Sequence, residues 1–196
     1  MKPFSYYIIY KPFQVLSQFS KEGDKKTLGD YFNVEKDVYP VGRLDYDSEG
    51  LLILTNDKLL NHRLLNPNFK HSREYYVQVD GSITIDAINK LQLGVNITID
   101  GKIYKTKPAT ARVLENPVVY ERNPLIRFRK DIPTSWIGLT LTEGKNRQVR
   151  KMTASVGFPT LRLIRKSIES ICLDEMKPGD IISLSKKSLY KKLFNE

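Results

Sequence analysis

The chain holds one cysteine, Cys172, among 196 residues. No disulfide can form within it, which fits a reducing compartment. Cys172 lies between Ile171 and Leu173 and reads as core filling rather than as a nucleophile. The two histidines, His62 and His71, have no Cys or His neighbours at metal-ligand spacing, so no structural metal is expected. Long apolar runs are missing too, which excludes a membrane-spanning helix. The opening Met1-Lys2-Pro3-Phe4-Ser5-Tyr6-Tyr7 lacks the apolar stretch and small-residue cleavage site of a signal peptide. A cytoplasmic location with no membrane partner is therefore expected. Internal repeats and low-complexity segments are absent.

What is present describes a folded, basic protein. Hydrophobic residues make up 40% of the chain, enough for one ordinary domain or two small lobes. Thirty-two Lys and Arg stand against 22 Asp and Glu, a net charge of +10. The cations gather at residues 122–130, 145–151, 162–166 and 186–192, whereas the acids sit mostly in the first half. That asymmetry points to one basic side and to nucleic acid as the leading partner.

Hydrophobic spacing gives a coarse map. Strands are expected at residues 6–10, 51–55, 73–80, 135–142, 160–166, 171–173 and 180–184. Helices are expected at 57–65, stopped by Asn66-Pro67, at 84–93, stopped by Gly94, and at 146–156, stopped by Gly157. Thr27 and Asp30 resemble the cap of a short helix. Residues 103–113 read as extended and 116–133 as a long, irregular basic loop. The lysine-rich end reads as a frayed segment or a surface helix. This mix is α+β, without the rhythm of a doubly wound fold.

Two constellations carry chemistry. In the first, Gly42-Arg43-Leu44-Asp45-Tyr46-Asp47-Ser48-Glu49-Gly50 runs into Leu51-Leu52-Ile53-Leu54-Thr55-Asn56-Asp57. A charged loop at the mouth of a rigid strand holds a reactive group still. Asp45, Asp47, Glu49 and Gly50 mimic a calcium loop, but its closing Glu position is Asn56 and the flanks read as strand. A glycosidase-type carboxylate pair stays open, though the basic charge gives no reason to expect a neutral sugar. For Asp47 and Glu49 a solvated acidic turn is the simpler reading. In the second constellation, Glu143-Gly144-Lys145-Asn146-Arg147-Gln148-Val149-Arg150-Lys151-Met152, the spacing fails a phosphate-binding loop. On a helix, Val149, Met152 and Val156 share one face, and Arg147, Arg150 and Lys151 the opposite arc. Periodicity alone leaves open a solvated basic back or cations aimed at a phosphate or carboxylate.

Taken with Arg73-Glu74-Tyr75, with Tyr10-Lys11-Pro12-Phe13 and Leu16-Ser17-Gln18-Phe19, and with Arg122-Asn123-Pro124, Ile132-Pro133-Thr134-Ser135-Trp136 and residues 156–165, the chain resembles the RsuA-type branch of the pseudouridine synthases. The likeness runs from about residue 7 to about 184, with its motifs in order. It implies a mixed, mostly antiparallel central sheet flanked by helices and loops, in two lobes with a cleft between. One catalytic domain would fill residues 1–196, with its motif-bearing core at about 4–185, a basic tail at 186–196 and no S4 module. Asp45 matches the catalytic aspartate, as nucleophile or base, and Asp47 and Glu49 become loop scaffolding. Tyr75 matches the tyrosine that stacks on the target base, and Arg150 the arginine that partners the carboxylate. Arg43 matches a residue that fills the gap left by an extruded base. Lys145, Asn146, Arg147, Arg162, Arg165 and the 122–130 loop are assigned to RNA, most of them from charge. Departures are Tyr10 where Asn is usual, and Lys145 and Lys151 where arginine is common. The implied reaction needs no cofactor and no metal. The implied substrate is 23S ribosomal RNA or a large-subunit assembly intermediate, and a monomer is the simplest state. Two rivals stay open: a non-catalytic RNA-binding assembly factor, and the same chemistry on 16S or another RNA.

Overall fold

A computed structural model of the protein describes residues 3–126 and 133–196. In chain order these hold strands β1 (Tyr6–Lys11), β2 (Val15–Leu16), β3 (Lys26–Thr27), β4 (Tyr39–Pro40) and β5 (Glu49–Thr55), helix α1 (Lys58–Leu65), β6 (Arg73–Asp80), α2 (Ile85–Leu93), β7 (Asn96–Ile99), β8 (Lys102–Lys105), β9 (Thr110–Leu114), β10 (Thr134–Leu141), α3 (Gln148–Ser155), β11 (Thr160–Ile168), β12 (Ile171–Cys172), β13 (Ile181–Ser183) and α4 (Lys186–Phe194). The fold is α+β. The ladders β1–β5, β1–β13, β4–β5, β6–β10, β9–β10, β7–β8 and β11–β12 are antiparallel, and β2–β3 is parallel.

The chain divides into two compact units. The first takes the residues up to His71 together with Arg165–Glu196, and the second takes Ser72–Ile164. In the first unit β5 is buried at all seven positions, as its unbroken Leu51-Leu52-Ile53-Leu54 run requires of a strand covered on both faces. It pairs with β1 from Tyr6–Thr55 to Lys11–Gly50. Ile9, Val15, Leu28, Phe32, Val38, Leu52 and Leu54 form one core cluster of this unit. Asp57 caps α1 by accepting from the Leu59 and Leu60 amides. The Thr27–Asp30 cap forms as foreseen, with the Thr27 amide donating to Asp30 Oδ2 at 2.8 Å, but it closes only one 3₁₀ turn, Leu28–Asp30. The lysine-rich end is a helix, α4, seated on Leu189 and Leu193.

The second unit is built on the ladders of β10 with β6 and β9. Val77 and Val79 of β6 and Ile137, Leu139 and Leu141 of β10 point to one side, the alternation that predicted both strands. Ile88 and Leu91 of α2 and Val149 and Met152 of α3 complete that core. Gly94 ends α2 by turning the chain to φ +81°, and an added Cβ there would strike the Thr106 carbonyl. The extended stretch at 103–113 splits into β8 and β9, and β7, which pairs with β8, lies in a region left unassigned by spacing. Helix α3 starts at Gln148, two residues later than expected, for a reason given below. Residues 116–126 contain no strand or helix, in keeping with a loop. Residues 127–132 of that loop, including Arg127, Arg129 and Lys130, lie outside the described residues.

Candidate active site

In the first unit, the loop at residues 42–50 is held backbone first. Val41 donates to the Ile53 carbonyl at 2.8 Å, and Ser48 donates to the Asp45 carbonyl at 3.0 Å. Asp45 itself is half-buried and Arg43 is exposed. Gly50 has φ +113°, and a Cβ there would run into the backbone carbonyl and nitrogen of Arg165. Glycine is required where two main chains come this close. The loop therefore enters β5 through a point that tolerates no side chain.

Glu49 corrects an expectation. It is not a solvated turn carboxylate but the buried first residue of β5, 1% exposed. Lys11 is fully buried, and its ammonium donates to the Pro12 carbonyl at 2.9 Å and the Val15 carbonyl at 2.7 Å. Burial pulls the Lys11 ammonium down to about 7, while Glu49, then Asp45 and Asp47, favour its charged form. Lys11 thus balances the acidic loop from inside. Spacing missed it, because a lysine at a strand end ordinarily reads as solvated. Ser17 was missed as well: its hydroxyl donates to the Leu44 carbonyl at 2.7 Å and accepts from the Leu44 amide at 3.0 Å. Ser48 Oγ is buried with no hydrogen-bond partner among the described residues.

In the second unit, the node is Glu143. Its carboxylate accepts from the Tyr104 hydroxyl at 2.6 Å, the Lys107 amide at 2.9 Å and the Gln148 carboxamide at 2.7 Å. Burial alone would raise its pKa, but these three donors hold it below the ordinary Glu value. Gln148 also accepts from the Lys145 amide at 2.9 Å, closing the turn at 144–147. Arg147 then takes a left-handed conformation, φ 52°, ahead of the first turn of α3. This delays the helix, and Arg147 does not lie on the helical arc assigned to it. Arg150 is one turn in and half-buried, on the helix whose Val149 and Met152 enter the core. Tyr75 sits on β6 opposite Leu139 and packs against that same core. Lys145, Asn146 and Arg147 are exposed, and the Lys145 ammonium lies 5.0 Å from the Tyr104 ring centroid.

Two of the basic residues assigned to RNA from charge are buried. Arg162 and Arg165 are only 4% and 5% exposed. Arg162 Nη2 donates to the Tyr120 carbonyl at 2.8 Å, and Arg165 Nε donates to the Leu51 carbonyl at 2.8 Å. Each guanidinium thus donates to a main-chain carbonyl of its own unit. Cys172 is half-buried, whereas Ile171 and Leu173 on either side are buried. Among the described residues no group of three His, Cys, Asp or Glu side chains could hold a metal ion, and no helix is long and apolar enough to cross a membrane.

The class of protein follows from comparison with known families. The family described as RNA pseudouridylate synthase matches residues 5–155, and the chain belongs to it. At higher resolution it is 50% identical over 172 residues to ribosomal large subunit pseudouridine synthase E of Vibrio parahaemolyticus, covering 88% of this chain and 70% of that protein. It is 47% identical to the synthase of the same name from Xanthomonas axonopodis pv. citri, over 87% of this chain and 89% of that one. Among solved structures, a pseudouridylate synthase crystal structure superposes with a TM-score of 0.80 at 22% identity, covering 98% of this chain and 75% of the other, which supports the fold.

Proposed function

We propose that this chain isomerises one uridine of 23S ribosomal RNA to pseudouridine, with Asp45 as the reacting carboxylate. The observation that carries the substrate is the 50% identity, over 88% of the chain, to a large-subunit synthase. The reaction breaks the bond from ribose C1′ to N1 of uracil, turns the base, and joins C1′ to C5. The C5 proton leaves and N1 gains one, so the change is redox-neutral and calls for no cofactor.

Asp45 suits this work because its main chain is pinned and its side chain is half-buried. Tyr75 and Arg150 take the roles that the motifs give them, stacking on the uracil and partnering the carboxylate. Extruding a stacked base costs a few kcal/mol, so loops and weakly paired sites are favoured as targets. Exposed Arg43, Lys145, Asn146 and Arg147 supply contacts to RNA. The protein works in the cytoplasm as a monomer, on free RNA or on an assembly intermediate.

The test has two parts. Asp45→Asn and Asp45→Ala are expected to abolish pseudouridine formation on a 23S transcript while RNA affinity stays within about threefold; retained turnover would overturn the assignment. Chemical mapping of ribosomal RNA from cells lacking this gene is expected to show one 23S pseudouridine lost, and loss only from 16S or transfer RNA would overturn the substrate.

A further inference from the structure

We propose that Ser17 is a positioning residue for Asp45, acting through the main chain of Leu44. This rests on the assignment of Asp45 as the reacting carboxylate. Asp45 belongs to the loop at residues 41–48 between β4 and β5, and such loops are ordinarily the mobile part of a fold. Here its neighbours on both sides are tied to a different segment, the exit from β1. One atom, Ser17 Oγ, both donates to the Leu44 carbonyl at 2.7 Å and accepts from the Leu44 amide at 3.0 Å, across 27 residues of sequence. On the far side of Asp45, the Tyr46 carbonyl accepts from the Gln14 amide at 2.9 Å. The Asp45 carbonyl itself accepts from Ser48. Three consecutive residues, Leu44, Asp45 and Tyr46, are thereby tied through their main chain, with the carboxylate on the middle one.

The tying segment is rigid in its own right. Gln14 adopts φ 54°, and the buried Lys11 ammonium holds the Pro12 and Val15 carbonyls, which curls the chain so that Gln14 and Ser17 meet the loop. Ser17 is 7% exposed, so water does not compete at its hydroxyl. A hydroxyl supplies a strong donor and a strong acceptor at a single atom this close to the main chain. Alanine would leave both polar groups of Leu44 without that partner and free the segment that carries Asp45. A displacement of about 1 Å in a reacting group is enough to cost about a hundredfold in rate.

The experiment compares Ser17→Ala, Ser17→Thr and Asp45→Asn on a 23S transcript, in single-turnover kinetics well below each variant's Tm. Ser17→Ala is expected to lower the single-turnover rate ten- to a hundredfold, with RNA affinity and the concentration for half-maximal rate within threefold of the parent. Ser17→Thr, which keeps the hydroxyl, is expected to return the rate to within threefold. An unchanged rate in Ser17→Ala, with Asp45→Asn inactive, overturns the role of Ser17 alone. Parallel loss of rate and RNA affinity in Ser17→Ala, not rescued by threonine, also overturns it and makes Ser17 merely structural. An active Asp45→Asn overturns the underlying assignment instead.

Discussion

The hydroxyl of Tyr190 donates to Oδ2 of Asp57 at 2.9 Å, joining residues 133 apart in sequence. The same oxygen accepts from Tyr6 at 2.8 Å, while Oδ1 caps α1. One carboxylate therefore fastens the first strand, the first helix and the last helix of its unit. Arg63 reinforces the end of α4, ion-paired to Glu196 at 2.6 Å and 3.6 Å from the Phe194 ring centroid.

This network contributes to stability at both the acid and the alkaline end of the pH range. Burial, followed by the Asp57 hydrogen bond, pushes the Tyr190 hydroxyl up to about 12. A folded pKa above the unfolded value of about 10 contributes stability that is complete below pH 10 and lost between there and 12. Tyr190→Phe is expected to flatten that alkaline loss in urea titrations at stepped pH, and to lower stability at pH 7 by about 1–2 kcal/mol. Burial raises the Asp57 carboxyl, but the tyrosine and amide donors outweigh it and hold it low. Its contribution is therefore present above the usual carboxylate range and fades as pH falls through it. Asp57→Asn is expected to blunt the acid limb.

Gly50→Ala places a methyl group on the Arg165 backbone at a positive φ. The expected loss is at least about 2 kcal/mol, since backbone must shift as well as twist. Denaturant midpoints measure it; a neutral effect would contradict the close approach.

Glu143→Gln puts an amide where three donors converge, and an NH₂ would face either Gln148 Nε2 or the Tyr104 hydroxyl. A stability loss of about 1–3 kcal/mol is expected. Because this carboxyl is held low in the fold, its contribution is complete above the ordinary Glu range and lost as pH falls below it. The gap between parent and variant should therefore narrow in acid, as thermal unfolding at pH 4 and pH 7 will show.

Lys145→Ala and Arg147→Ala act on exposed cations at the turn before α3. Each is expected to weaken RNA binding and to reduce the magnitude of the salt-dependence slope by about one if it meets a phosphate. Filter binding between 50 and 200 mM salt is the measurement. By contrast, Arg162→Ala is expected to show up first as lost stability, because its guanidinium serves the Tyr120 carbonyl from inside.

Much of the fold was legible because local chemistry dictates it. Alternation placed β6 at Arg73–Asp80, and the caps Asp57 and Thr84 opened α1 and α2 where spacing put them. Charge and spacing singled out the 42–50 loop and residues 143–152, and the family resemblance then chose Asp45, Tyr75 and Arg150. What spacing could not show was the state of individual polar groups. Arg162 and Arg165 were assigned from charge alone and are buried; Glu49 read as solvated and is buried; Arg147 read as helical and lies before the helix.

The amino-acid sequence by itself determined the periodicities, the stops and the family, since each lives in neighbours along the chain. Tertiary structure alone decided which polar groups are satisfied by the protein and by what. Ser17 meets Leu44, Lys11 answers Glu49, and Tyr190 reaches Asp57 only after distant segments pair. A pattern of two or 3.6 residues says which side chains share a face, but not what comes to cover it. Whether a polar group is solvated or satisfied by the protein depends on that covering segment, and so on the fold.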